Sequence, residues 1–323
     1  MTTSIPKLIF GGAAISTGLS FSTPEQATQL LDLLEQEGIQ QIDTAQLYGN
    51  SEEFLGSLKA GDRFIIDTKH VGGWVEGSSS REEVVKRGEE SLKKLGVEKV
   101  NIFYLHAPSP STPLTSTLAG INDLHLRGAF THFGLSNFNP SQVKEVLRIS
   151  KENNYVPPTV YQGNYNAVSR LPEKELFPLL REHNIAFYAY SPIAGGFLTK
   201  TREQLENGGG GRWDKESQIG KLYHGIYVKE ANLEALDVWG GIANDAGVSK
   251  AELAFRWIAY HSGLRKEVGD GLIIGASSLK QVRGTLEGLR RGPLGDEIVR
   301  RIEGVWELVE KEAVLDNWEA TRG

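Results

Sequence analysis

Four side chains in this sequence could share one piece of chemistry: Asp43, Tyr48, Lys69 and His106. Asp43 and Tyr48 lie close together in "QIDTAQLYGNSEEFLG", a run that begins like a buried strand and ends like a helix. A free phenol has a pKa of about 10 and is a poor acid at neutral pH. An ammonium nearby favours the phenolate and lowers that value. A buried lysine tends to lose its proton unless a carboxylate stands beside it, a part that Asp43 can take for Lys69. A neutral histidine such as His106 can orient a carbonyl by hydrogen bond. Together the four would make a general acid tuned to act on a polar carbonyl. No side chain donates hydride, so reduction of that carbonyl would need a nicotinamide cofactor.

Each residue also has a plainer reading when taken alone. Asp43 could cap a turn, Lys69 could reach water from a strand end, and His106 could be a satisfied core histidine. Tyr48 could pack a Gly/Asn/Ser loop. The choice depends on whether the fold brings all four to one place.

The elements that would do so can be read from the hydrophobic pattern. "KLIFGG", "IQQIDTA", "RFIIDTK", "VNIFYLH", "FTHFGLSN", "TVYQGNY", "IAFYAYS" and "GLIIGAS" are candidate strands, eight in all. Most are apolar on consecutive residues, as expected of parallel strands buried on both faces. Between them lie segments with helix signals. Thr23, Pro24, Gln26 and Gly38 bracket one helix, and Ser80, Glu83 and Gly96 another. Asn139, Pro140 and Gln142 open a third, Ser249 and Glu252 a fourth, and Ser278 and Gln281 a fifth.

Alternating strands and helices fit either a closed (β/α)8 barrel or an open doubly wound sheet. The open sheet should show G-x-G-x-x-G after its first strand. Here that place holds "GGAAISTG", and the next helix starts only at Pro24. The closed α/β barrel is therefore the predicted fold, as a single domain over residues 1–323. The "NGGGG" run at 207–211 follows no strand and reads as a mobile loop rather than a phosphate cradle. A long insertion, Pro192 to Gly271, separates the last two strands and is expected to hold that loop and two helical segments. After the barrel comes a helix and a polar tail, expected to fold over one barrel face.

In such barrels the site is built at the C-terminal ends of the strands. The polar groups there are Asp43, Lys69, His106, Ser136, Asn137, Gln162, Tyr190, Ser191, Ser277 and Ser278, with Tyr48 on the loop after the second strand. This convergence favours the chemical reading over four separate plain ones.

The bulk numbers narrow the class. The chain has 323 residues with 39% hydrophobic and 24% charged, the balance of a globular protein. A net charge of −6 argues against a nucleic-acid surface, which needs a basic face. With no cysteine there is no disulfide framework, thiolate chemistry or Cys–metal site. The strand ends supply one His and one Asp and no His-x-His pair, so no metal is expected. No apolar run approaches the roughly 18 residues of a membrane span. The start, "MTTSIPKLIFGG", lacks signal-peptide features, so the expected location is the cytoplasm. The oligomeric state is left open, a homodimer included.

Seven ordered stretches, "IDTAQLYGNSEEFLG", "TKH", "YLHAP", "GLSNF", "YQGNYN", "YSPIAGGFLT" and "GASSLKQV", resemble the motifs of the aldo-keto reductases. The branch they resemble most is that of the aflatoxin-aldehyde reductases and related fungal aryl-alcohol dehydrogenases. The resemblance implies a (β/α)8 barrel that binds NADP(H) in extended form and reduces an aldehyde or ketone. It matches Tyr48 to the family's acid, Lys69 to its lysine, Asp43 to its aspartate and His106 to its histidine.

It implies that Asn137, with Ser136 beside it, and Gln162 hold the nicotinamide amide, and that Tyr190 stacks on the ring. The pyrophosphate loop is implied at Ser191 to Thr201, including Pro192, Ala194, Gly195, Gly196, Leu198, Thr199 and Lys200. Backbone amides of Gly195, Gly196, Leu198 and Thr199 are its implied donors. The adenosine-phosphate end falls on Ser277, Ser278 and Gln281 at a helix N-terminus, where exposed N–H groups attract phosphate. A capping box between Ser278 and Gln281 is the plainer reading there. Lys280 or Arg283 could add charge for the 2′-phosphate.

The sequence departs from its branch in the lid. Relatives that take small carboxylated aldehydes resemble Tyr-Arg-x-Arg-Tyr, whereas this chain has Tyr223-His224-Gly225-Ile226-Tyr227. With both arginines missing, the expected substrate is an apolar or aromatic carbonyl, met by Trp74, Trp213, Tyr223 and Tyr227. The same four could instead pack the barrel rim, and Arg322 is a further candidate anionic contact. Two rival readings stand beside this one: a Schiff-base aldolase using Lys69, and a non-catalytic cofactor-binding regulatory subunit.

Overall fold

The computed structural model of the chain describes residues 5–208 and 213–321. Arg322 and the glycines at 209–211 lie outside the described residues, and so do the readings attached to them. Eight parallel strands close into a barrel in chain order. They are β1 (Lys7–Gly11), β2 (Gln41–Asp43), β3 (Ile65–His70), β4 (Val100–Leu105), β5 (Phe130–Ser136), β6 (Pro158–Asn164), β7 (Ala186–Tyr190) and β8 (Gly271–Ile274). β8 pairs with β1 from Lys7 with Gly271 to Phe10 with Ile274, which closes the ring. The (β/α)8 expectation holds, and each candidate strand lies on an observed one.

The strands are apolar on consecutive residues because both faces are covered. Inside the barrel, Ile9, Ile102, Tyr104, Val160, Tyr188 and Ile273 pack together. The outer faces meet the helices in a much larger core that includes Leu30, Val84, Ile121, Val143 and Ile302. The inner space is tight around the aromatic rings. A β-carbon on Gly134 of β5 would come within 2.2 Å of the Tyr104 ring, so only glycine fits opposite that tyrosine.

The helix starts follow the caps read from sequence. Thr23 accepts from the Gln26 amide and Gln26 answers to the Thr23 amide, closing a full box before helix Pro24–Gln36. Asn139 and Gln142 do the same before Pro140–Asn153. Ser80 and Ser249 accept from the amides of Glu83 and Glu252 and open helices Arg81–Leu95 and Lys250–Tyr260. Each such cap contributes about 1 kcal/mol. Gly96 ends its helix in the left-handed region at φ 67°.

The insertion after β7 is more helical than its sequence suggested. It holds a 3-10 stretch Ala194–Thr199 and helices Arg202–Glu206, Gln218–Tyr227, Glu230–Asp245 and Lys250–Tyr260. The short pieces escape a periodicity reading because five residues do not complete two turns. Helix Asp296–Val309 then packs on Glu230–Asp245, and a last turn, Asn317–Ala320, lies against Gln218–Tyr227. The tail thus does fold over the barrel. Among the described residues no helix is long and apolar enough to cross a membrane.

Candidate active site

The parallel arrangement sends every strand's C-terminal end to one mouth. Asp43 ends β2, Lys69 lies one residue from the end of β3, and His106 directly follows β4. Ser136 ends β5 with Asn137 next, Gln162 lies on β6, and Tyr190 ends β7.

Lys69 is at the centre and is fully buried. Its ammonium has three acceptors for three protons. It donates to Asp43 Oδ2 at 2.5 Å, to the Thr44 carbonyl at 2.9 Å and to the Tyr48 hydroxyl at 3.5 Å. Burial works to lower its pKa, but Asp43 and Tyr48 outweigh it and the value is raised. Lys69 is therefore a cation at neutral pH. The other Asp43 oxygen accepts from Gln162 Nε2 at 2.9 Å, so the buried carboxylate is held on both sides.

His106 sets its ring edge-on to Tyr48, with centroids 5.7 Å apart. Burial, then the Lys69 charge, then His70 hold its pKa well below the usual histidine range, so the imidazole is neutral. Its Nδ1 is buried and has no hydrogen-bond partner among the described residues. Its carbonyl accepts from Asn137 Nδ2 at 2.8 Å, and the same nitrogen donates to Ser136 Oγ at 3.2 Å. Asn137 takes a left-handed φ of 60°, which asparagine tolerates better than most residues. The Tyr190 hydroxyl completes the chain by donating to Asn137 Oδ1 at 2.9 Å. One network therefore runs from Gln162 through Asp43 and Lys69 to Tyr48, and a second from His106 through Asn137 to Tyr190.

The loop after β7 is built as a cradle. Ser191, Ala194, Gly195 and Gly196 all have positive φ, Gly196 at 100°. Asn166 Nδ2 fixes its start by donating to the Ser191 carbonyl at 3.1 Å. Two of the expected amide donors are engaged within the turn: Gly196 and Leu198 both donate to the Ile193 carbonyl, at 2.9 and 3.4 Å. Thr199 Oγ1 likewise bonds the Gly196 carbonyl, and Pro192 and Lys200 flank the turn. At the head of helix Leu279–Arg290, Ser278 accepts from the Gln281 amide. Gln281 Oε1 accepts from both the amide and hydroxyl of Ser277, so the cap closes on Ser277 rather than Ser278. Lys280 and Arg283 are exposed on the first and second turns of that helix.

The four aromatics expected to meet substrate separate into two groups. Trp74 stays at the mouth, 6.5 Å from His106 and 4.7 Å from Trp318, ring centre to ring centre. Trp213, Tyr223 and Tyr227 are buried in a cluster with Phe197 behind the cradle. Trp213 Nε1 donates to the Gly195 carbonyl at 3.0 Å, which makes this cluster a backing for the loop. Ile226 is buried too, so the position that carries an arginine in carboxylate-handling relatives faces the core here.

Two site neighbours went unread in the sequence. Trp318 is one, although Asp316 and Glu319 around it form an N-cap pattern that could have located the turn. Asp67, buried on β3 below Lys69, is the other; it lay inside an apolar strand motif with nothing to mark it.

The donors suit a bound nicotinamide dinucleotide. A half-buried phenol ring and two side-chain amides stand at the mouth, a glycine cradle follows, and a serine-capped helix start ends the track. Among the described residues no cluster of His, Cys, Asp or Glu could hold a metal ion.

Comparison with known proteins gives a matching picture. Residues 7–307 match the model of the aldo/keto reductase family. The chain is 38% identical over 308 residues to oxidoreductase sirO of Leptosphaeria maculans, covering 94% of this chain and 93% of that one. It is 36% identical over 326 residues to aflatoxin B1 aldehyde reductase member 4 of Homo sapiens, covering 95% and 96%. Member 2 from Homo sapiens is 37% identical over 309 residues, covering 91% and 85%.

Proposed function

Because the chain belongs to the aldo/keto reductase family, we propose that it reduces an aldehyde or ketone to the alcohol with NADPH, using Tyr48 as proton donor. The observation that carries this reading is the Lys69 ammonium shared between Asp43 and Tyr48 beside a neutral His106. When bound, NADPH supplies the hydride to the carbonyl carbon. Tyr48 gives its proton to the carbonyl oxygen, and Lys69 stabilises the phenolate left behind. His106 hydrogen-bonds the same oxygen and sets its position between hydride and phenol. Asn137, with Ser136, and Gln162 hold the nicotinamide amide, and Tyr190 offers its ring face. Ser191 to Thr201 cradle the pyrophosphate, and Ser277, Ser278 and Gln281, with Lys280 and Arg283, take the adenosine phosphate.

The substrate is an apolar or aromatic carbonyl. Trp74 supports this by standing beside His106, whereas Trp213, Tyr223 and Tyr227 act through the cradle. An aldehyde and ketone panel with NADPH tests the reading. Turnover of aromatic aldehydes that Tyr48→Phe removes is expected; no turnover of any carbonyl would sink it. The aldolase alternative is disfavoured by Lys69 itself. A Schiff-base lysine must be neutral to attack, and this one is held charged by Asp43.

A further inference from the structure

We propose that Asp67 is a positioning residue for the proton donor: a second carboxylate beneath the Asp43–Lys69 pair that sets how strongly Lys69 acts on Tyr48. The inference rests on the reading of Tyr48 as the acid. Asp67 pairs in register with Asp43 across β2 and β3, and Lys69 stands two residues further along β3. Alternation along a strand sends Asp67 and Lys69 to the same face, so one carboxylate lies a layer below the ammonium that the other carboxylate holds.

Asp67 is fully buried and held from two strands. Gln41 of β2 donates its amide to Oδ2. Asn101 Nδ2 and the Ile102 amide of β4 donate to Oδ1 at 2.8 and 3.2 Å. The charged or titratable groups around it are Lys7 of β1, Asp43 of β2, Tyr104 of β4 and Tyr188 of β7. Lys7 is exposed at the outer end of β1, with Nζ 4.6 Å from the Tyr188 ring centre. The barrel interior therefore stacks two carboxylates, Asp67 below Asp43, under the buried Lys69 ammonium, with Lys7 at the exposed lower end of β1.

Burial first, then the Asp43 charge, push the Asp67 carboxyl up to about 7. Its ionisation thus falls in the working range of a cell. Above pH 7 the added negative charge offsets part of the Lys69 field, makes the Tyr48 phenolate less favourable and keeps the phenol protonated. Below that pH the offset disappears, and Lys69 acts on Tyr48 undiminished. A plain structural role is the competing account, since Asp67 also ties β4 to β3 through the Ile102 amide.

The test uses Asp67→Asn, which keeps an oxygen for the Ile102 and Asn101 donors. Two readouts are taken. The first is the phenolate absorbance of the cofactor-free protein against pH, with Tyr48→Phe identifying the Tyr48 step. The second is the pH profile of kcat/KM for an aromatic aldehyde. The expected result is a Tyr48 step lower by roughly half a unit or more in the variant. The alkaline limb of kcat/KM should move by the same amount, with wild type and variant alike below about pH 6, where both carry no charge at position 67.

An unmoved phenolate step, or an equal loss of rate at every pH, overturns the proposal and leaves Asp67 a strand tie. Should Asp67→Asn fail to fold, Asp67→Ser must give the same downward step. If the wild type reduces no carbonyl, the enzymatic reading fails, yet the absorbance titration still decides whether Asp67 and Tyr48 are coupled.

Discussion

The Nζ of Lys69 stands 3.5 Å from the hydroxyl of Tyr48, a full ångström further than from Asp43 at 2.5 Å. The aspartate therefore holds the lysine and the phenol is its outer partner. That order suits an acid. For the proposed proton donor, the ammonium is in place to stabilise the charge when the proton leaves.

Replacing Tyr48 by phenylalanine should lower carbonyl reduction by roughly 10²–10⁴-fold, the usual scale of general acid catalysis. NADPH affinity should barely change, because the proposed cofactor contacts lie on Asn137, Gln162 and Tyr190. Steady-state rates and a fluorescence titration of the cofactor check the two halves. Retention of most turnover in a folded, cofactor-bound variant would falsify the mechanism.

Asp43→Asn should harm stability as well as turnover. It leaves the Lys69 ammonium buried without its carboxylate, and breaking a buried pair from one side costs about 3–5 kcal/mol. Lys69→Met removes the charge with its partner left behind, and should depress turnover while altering its pH dependence. Denaturant unfolding of both variants is the measurement. A wild-type midpoint for Asp43→Asn would mean that water reaches Lys69 after all.

Asp67 makes stability depend on pH in a stated direction. Its folded pKa, about 7, lies above the ordinary carboxylate value. The native state thus binds the proton more tightly than the unfolded chain. The resulting stabilisation is full below about pH 3.9, declines as pH rises toward 7, and is gone above it. Asp67→Asn should therefore unfold at a higher temperature than wild type at pH 8, with the difference shrinking toward pH 4. Calorimetry at several pH values reads this directly, and a pH-independent difference would refute the assignment.

NADPH is expected to bind more tightly than NADH, and Lys280→Ala with Arg283→Ala should narrow the gap. Both residues are exposed on the first two turns of helix Leu279–Arg290. Dialysis against a chelator should leave activity intact. Equal affinities for the two cofactors in a titration would remove the phosphate role from these turns.

Ile226→Arg, which restores the arginine of carboxylate-handling relatives, should destabilise the protein before it alters specificity. The side chain is 3% exposed, so an arginine there would bury a charge in the core. A thermal midpoint lower by roughly 5 °C or more is expected. An unchanged midpoint, with better use of carboxylated aldehydes, would show that position 226 can turn to the mouth.

The sequence by itself determined the barrel and the membership of its mouth. Strand runs such as "VNIFYLH" and caps such as Thr23 with Gln26 are local signals, carried by neighbours a few residues apart. Once the strands are parallel, their ends must meet, so Asp43, Tyr48, Lys69 and His106 could be assigned to one place without coordinates.

Only the tertiary structure decided which partner each group takes. Lys69 favours Asp43 over Tyr48, Asn137 bonds the His106 carbonyl, and Gln281 closes on Ser277. It also turned Trp213, Tyr223 and Tyr227 away from the expected substrate wall into a packed cluster, and brought Trp318 to Trp74 from 244 residues along the chain. Asp67 shows the reason most clearly. In the sequence it is one aspartate in "RFIIDTK", much like any strand-end carboxylate. Its chemistry comes from burial and from the charges on neighbouring strands, and those are set by register and packing, which no local pattern records.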